Sequence, residues 1–131
     1  MDQITLQPVS KISGEVTLPG SKSLTNRALL LAALAEGETR IVNLLSSADT
    51  GHMITALRQL CVEITDEPDS ATVVGNGGLF PTPENGSFFL GNAGTAIRPL
   101  TAMLSLIPGQ FIVDGDQYMR ERPIAHLGDA L

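Results

Sequence analysis

The chain of 131 residues is short of cations, with eight Lys and Arg against 14 Asp and Glu and a net charge of -6. That balance argues against nucleic acid as a partner, because the overall field repels a polyanion. A single cysteine, Cys61, excludes an intrachain disulfide. It follows Leu60 at the end of a helical pattern, reads as a buried reduced thiol, and points to a reducing compartment. The apolar run Ala28 to Ala35 is far shorter than the ~20 residues a membrane span needs. No basic segment followed by an apolar one opens the chain, so a soluble, cytoplasmic protein without a membrane partner is expected. His52 and His126 have no Cys or His neighbour in their helical patterns, so no metal is expected. No nucleophile–histidine–acid set is evident.

What is present suffices for one compact domain, since a chain of this size buries roughly two-thirds of its unfolded surface. The few cations are concentrated: Lys22, Arg27, Arg98, Arg120 and Arg122 all lie in or beside two glycine-bearing stretches. The first is Leu18-Pro-Gly-Ser-Lys-Ser-Leu-Thr-Asn-Arg27, followed at once by an apolar run. Pro19-Gly20 breaks a strand, Ser21 or Ser23 can cap a helix, and Lys22 and Arg27 bracket the cap. The second is Leu90-Gly-Asn-Ala-Gly-Thr-Ala-Ile-Arg-Pro99, again small and polar before an apolar helix.

The periodicities predict short strands over 3–8 and 11–18, then a helix over 23–35 that is apolar nearly all round and is stopped by Gly37. A strand over 39–45 follows, then an amphipathic helix over 49–60 with Met53, Ile54, Leu57 and Leu60 inward. Residues 62–65 and 71–74 form a hairpin, and 75–86 a glycine- and proline-rich loop. A strand over 87–90, a buried helix over 95–106, a strand over 110–113 and a helix from Ile124 complete the pattern.

Shifting the sequence by 71 positions lays Gly20 on Gly91, Arg27 on Arg98, Ile41-Val42 on Ile112-Val113 and Leu60 on Leu131. Each unit runs loop, helix, strand, helix, and the second stops where its hairpin is due. The chain therefore reads as part of a longer protein.

The chemistry of both stretches is that of an anion site. Hydroxyl and amide donors at a helix N-terminus meet a macrodipole that favours an anion by roughly 0.3–1 kcal/mol. Lys22 adds a point charge, and Arg27, four residues after Ser23, can share its face and offer a fork to phosphate or carboxylate. A plain N-cap with exposed cations fits the same pattern. Gly91-Asn92-Ala93-Gly94-Thr95 reads as a backbone nest, or as an ordinary glycine turn. Arg120 and Arg122 in the polar loop 114–123 either clamp a carboxylate or pair with Asp114, Asp116 or Glu121. Two such sites suggest a substrate with two anionic parts.

These two stretches, with Arg120-Glu-Arg-Pro-Ile124, resemble the N-terminal part of the 5-enolpyruvylshikimate-3-phosphate synthase family, in its bacterial glyphosate-sensitive type. The resemblance spans the whole chain and rests on three long motifs in order. It implies an α/β fold of βαβαββ repeats, the inside-out α/β barrel of the enolpyruvyl transferases, here interrupted within the second repeat. Residues 1–19 would be a strand segment of the other, absent domain, and 20–131 part of a substrate-binding domain, with repeat one at 20–90 and an incomplete repeat two at 91–131.

The implied reaction transfers the enolpyruvyl group of phosphoenolpyruvate to the 5-hydroxyl of shikimate 3-phosphate, without metal or organic cofactor. Carried over by motif, Lys22 is catalytic and lies between both substrates, while Ser23 and Arg27 hold shikimate 3-phosphate. Gly94 and Arg122, helped by Asn92 and Thr95, contact phosphoenolpyruvate. Glyphosate would inhibit the complete enzyme, a glycine at Gly94 marking the sensitive type. The missing C-terminal portion is then a required partner, and the chain alone is expected to be inactive. A related family, UDP-N-acetylglucosamine enolpyruvyl transferase, carries Lys-Asn where this chain has Lys22-Ser23. A non-catalytic module that binds a phosphorylated metabolite or a protein partner is the other alternative.

Overall fold

The computed structural model describes residues 3–81, 83 and 86–131. In chain order the elements are α1 (Lys22–Leu34), β1 (Glu36–Val42), α2 (Ala48–Gln59), β2 (Glu63–Asp66) and β3 (Ser70–Asn76). These are followed by β4 (Ser87–Phe89), α3 (Gly94–Leu104), β5 (Ile112–Asp114), α4 (Gln117–Arg120) and α5 (Ala125–Ala130). β3 lies between β1 and β2, antiparallel to both, with Thr39 opposite Val73 and Ile64 opposite the same residue. β4 and β5 pair in parallel, Phe88 opposite Val113, as a strand–helix–strand crossover through α3. The mixture is α/β.

The core is mostly aliphatic, with Phe88 its one fully buried aromatic among the described residues. Leu29 and Ala33 of α1, Met53 and Leu57 of α2, Val73 of β3, Phe88 of β4 and Leu100 of α3 are all fully buried. The inward set expected of α2, Met53, Ile54, Leu57 and Leu60, is buried as its 3.6-residue period requires. α2 starts at a reciprocal cap, Ser47 Oγ accepting from Thr50 N–H while Thr50 Oγ1 accepts from Ser47 N–H.

Several expectations are corrected. No strand forms over the described residues 3–20: Ile4, Leu6, Ile12, Val16 and Leu18 alternate as a strand should, but each is at least 74% exposed. Alternation needs a partner strand and a second layer, and neither lies beside this segment. α1 is not buried all round, since Leu24 and Leu31 are each 65% exposed. Gly37 does not stop it. The helix turns directly into β1 through an extended Ala35, and Gly37 sits inside that strand at φ +79°. Cys61 is exposed, at φ +61°, because α2 ends in a left-handed turn where Cys61 N–H reaches Arg58 O and Val62 N–H reaches Leu57 O. The loop expected over 75–86 includes Thr82, Glu84 and Asn85, which lie outside the described residues, as do Met1 and Asp2 of the first segment; β3 itself extends through Asn76.

The two units share the order helix, strand, helix, with α1 and α3 beginning at Lys22 and Gly94. Their strand pairing differs. β1 runs antiparallel to β3, whereas β5 runs parallel to β4.

Candidate functional site

Close backbone packing sets the position of each helix start. A Cβ at Gly20 would lie 2.1 Å from Asn43 O, so only glycine lets the chain press against the end of β1 before turning into α1. Ser21 caps that helix, its Oγ accepting from Leu24 N–H, and Thr25 Oγ1 accepts from Leu45 N–H at 3.1 Å, tying α1 to the loop before α2. The loops after β4 and β5 are joined likewise. Leu90 N–H donates to Asp114 O, Asp116 N–H donates to Gly91 O, and a Cβ at Gly115 would meet Gly91 O at 2.3 Å. Asp116 caps α4, which turns the chain so that Arg122 returns to the start of α3. Arg98 secures this return by donating from Nη2 to Pro123 O at 2.6 Å.

The result is an open cleft of about 410 Å³, lined by Lys22, Arg27, Asp49, Asn92 and Gly94 and by Thr95, Arg98, Pro99 and Arg122. Four cations face one carboxylate there. Arg122 stands so close to Gly94 that a Cβ on the latter would lie 2.8 Å from its Nη1. Lys22 Nζ is 2.6 Å from Asp49 Oδ2, in the first turn of α2. The pair is half exposed on the lysine side, so its mutual attraction is worth at most about 1 kcal/mol. It holds the ammonium at the cleft without neutralising the three arginines. Ala93, the N-cap residue of α3, supplies no side-chain cap, leaving the positive end of the helix dipole towards the cleft.

The structure brings Lys22, Arg27, Asn92, Gly94, Thr95 and Arg122 onto one surface. Ser23, the remaining residue singled out by sequence, is half-buried in the first turn of α1 and does not line the cleft. The nest at 91–95 is only partly realised. Ala93 N–H and Gly94 N–H turn inward to Leu90 O and Asn92 O, so these two amides are spent within the turn. Of the two readings for the arginine loop, each holds for one residue. Arg120 Nε donates to Asp114 Oδ1 at 2.9 Å and its Nη2 reaches Oδ2, while Arg122 faces the cleft. The Arg120 guanidinium, helped by Gly115 N–H, lowers the Asp114 carboxyl to about 2.

Sequence reading missed Asp49 and Asn26. An acidic residue in the first turn of a helix is ordinary, and no local pattern marks Asp49 as the partner of Lys22. Asn26 lies fully buried in α1, its Nδ2 donating to Thr95 Oγ1 at 2.9 Å. A polar residue inside an apolar helical run was the available signal.

The family model described as EPSP synthase (3-phosphoshikimate 1-carboxyvinyltransferase) matches residues 6–131. A 3-phosphoshikimate 1-carboxyvinyltransferase of Sulfurovum sp. is 61% identical over the whole chain, and one of Colwellia psychrerythraea is 56% identical. The chain spans 31% of the length of each. EPSP synthase from Acinetobacter baumannii superposes with a TM-score of 0.82 at 30% identity, over 90% of this chain and 27% of that one. The chain therefore belongs to the EPSP synthase family.

Proposed function

We propose that the chain forms one wall of the active site of a 3-phosphoshikimate 1-carboxyvinyltransferase. Such an enzyme adds the 5-hydroxyl of shikimate 3-phosphate across the double bond of phosphoenolpyruvate, the oxygen bonding to the phosphate-bearing carbon and a proton going to the methylene carbon; inorganic phosphate then leaves as the methyl group so formed gives up a proton. The observation that carries this reading is the convergence of the N-termini of α1 and α3 on one cleft with Lys22, Arg27, Arg98 and Arg122. Both substrates are polyanions, and both need fixed cations more than they need a hydrophobic pocket.

In this reading Arg27, which lines the cleft, holds shikimate 3-phosphate together with Ser23 of the first turn of α1. Arg122, Gly94, Asn92 and Thr95 hold phosphoenolpyruvate. Lys22 lies between the two and stabilises charge on the departing phosphate. Glyphosate, an anion longer than phosphoenolpyruvate, would occupy the Gly94–Arg122 side and inhibit the complete enzyme. Residues 1–19 belong to a different domain from 20–131, a division supported by the exposure of Ile4, Leu6, Ile12, Val16 and Leu18. The remaining two-thirds of the relatives' length supplies the rest of the active site. A cytoplasmic setting suits soluble phosphorylated substrates, and no described helix is long and apolar enough to cross a membrane.

The test is a chimera in which this chain replaces the matching third of the Sulfurovum transferase. Inorganic phosphate released only when both substrates are present supports the reading, as does its loss in Lys22→Ala. A folded chimera that binds shikimate 3-phosphate but releases no phosphate contradicts it and favours a non-catalytic binding module.

A further inference from the structure

The buried amide of Asn26 is the one side-chain hydrogen bond described between the two helices whose N-termini form the cleft. α1 packs along α3, and Asn26 Nδ2 donates across the contact to Thr95 Oγ1 at 2.9 Å, with Asn26 fully buried. One turn before Asn26 is Lys22, and the next residue is Arg27. Beside Thr95 is Gly94. The hydrogen bond thus joins the cations of one anion subsite to the backbone of the other.

Packing alone does not account for an asparagine here. At the 71-residue shift Thr25 and Asn26 correspond to Ala96 and Ile97, both buried and apolar. The second unit therefore fills the equivalent helix face without a polar atom. In the first unit Asn26 Oδ1 is buried with no hydrogen-bond partner among the described residues, a cost that an apolar residue would avoid. A primary amide both donates and accepts, so contact with a hydroxyl survives either orientation of the group.

Resting on the functional reading above, we propose that Asn26 is a positioning residue that fixes the separation of the two anion subsites through Thr95, so that occupation of one prepares the other. It touches neither substrate. Its contribution is a coupling between two sites, and by linkage that coupling is the same whichever ligand binds first.

The experiment measures the affinity of the full 131-residue chain for shikimate 3-phosphate with and without saturating phosphoenolpyruvate, by residue-resolved amide shifts. The ratio of the two affinities is the coupling factor. The native chain is expected to show coupling of roughly fivefold or more. Asn26→Leu should bring the factor close to one while each ligand alone still binds. Asn26→Ala, a second route should Asn26→Leu fail to fold, should do the same, since it too removes the donor to Thr95 and leaves every cleft-lining residue in place. A merely structural asparagine would lower the melting temperature and both affinities together and leave the ratio unchanged, which overturns the inference alone. A native chain that responds to neither ligand overturns the inference, whereas the functional reading stands or falls with phosphate release by the chimera.

Discussion

Gly94→Ala separates the folding role of the α3 terminus from its role in the cleft. Gly94 opens the helix without a left-handed φ, so a methyl group costs the backbone nothing and removes the entropy that glycine loses on folding. That favours the variant by about 0.4–1 kcal/mol. The new Cβ meets one atom within 3 Å, Arg122 Nη1 at 2.8 Å, the far end of a flexible side chain. Restoring an ordinary contact near ~3.5 Å moves the guanidinium by about 0.7 Å. A ligand hydrogen bond stretched by that much leaves the productive range, and losing one charge-assisted bond costs about 1.5–3 kcal/mol. Thermal denaturation should therefore show a melting temperature unchanged or slightly raised. Amide-shift titration with phosphoenolpyruvate should show affinity reduced roughly tenfold to a hundredfold. Because the methyl acts through Arg122, Gly94→Ala and Arg122→Ala should not add: the double variant should bind about as weakly as Arg122→Ala alone. In a complete transferase glyphosate, the longer anion, should lose more than phosphoenolpyruvate. Equal losses for the two anions, a double variant that loses the sum, or a melting temperature several degrees lower would refute the reasoning.

Asp49→Asn removes the carboxylate from among the four cations and should raise affinity for shikimate 3-phosphate about two- to fivefold, an effect that fades with added salt. Asp114 should titrate at about 2 in the folded chain, and Arg120→Ala should return it towards 3.8, both readable from carboxyl carbon shifts. Because the folded value is depressed, the stabilisation it brings is complete above about pH 4 and disappears as the pH falls towards 2. Cys61→Gly places the residue best suited to a left-handed turn after α2 and should raise stability by about 0.5–1 kcal/mol in a denaturant melt. A loss there would show that the thiol makes a contact worth more than the strain.

Legibility in the sequence followed the range of the forces involved. α2 was readable because one buried stripe at helical spacing decides it, and the β2–β3 hairpin because its polar turn and alternating flanks are local. The apolar residues of 3–18 carry an equally clear local pattern, yet they lie exposed because alternation specifies a face, not the partner that covers it. Cys61 was misplaced for a related reason: the helix period continues to Leu60, but the left-handed turn that follows swings the next side chain outward. In the cleft, the cations were visible from their clustering against an acidic background. Their division of labour was not, since Arg120 and Arg122 differ by two residues and only the turn of α4 sends one to Asp114 and the other to Gly94. The apparent nest at 91–95 likewise depended on which way two amides point, and composition does not encode that. Asn26 contacts Thr95 across 69 residues, a relation no local pattern contains.

The central claim is that the N-termini of α1 and α3 form one two-part anion site. Its most direct test is a proton–nitrogen correlation spectrum of the 131-residue chain titrated first with shikimate 3-phosphate and then with phosphoenolpyruvate. Selective, saturable shifts are predicted at Lys22, Ser23 and Arg27 on the first addition and at Gly94, Thr95 and Arg122 on the second. Dispersed spectra in which these residues stay still, or shift no more than exposed sites such as Glu63 and Asp66, would contradict it.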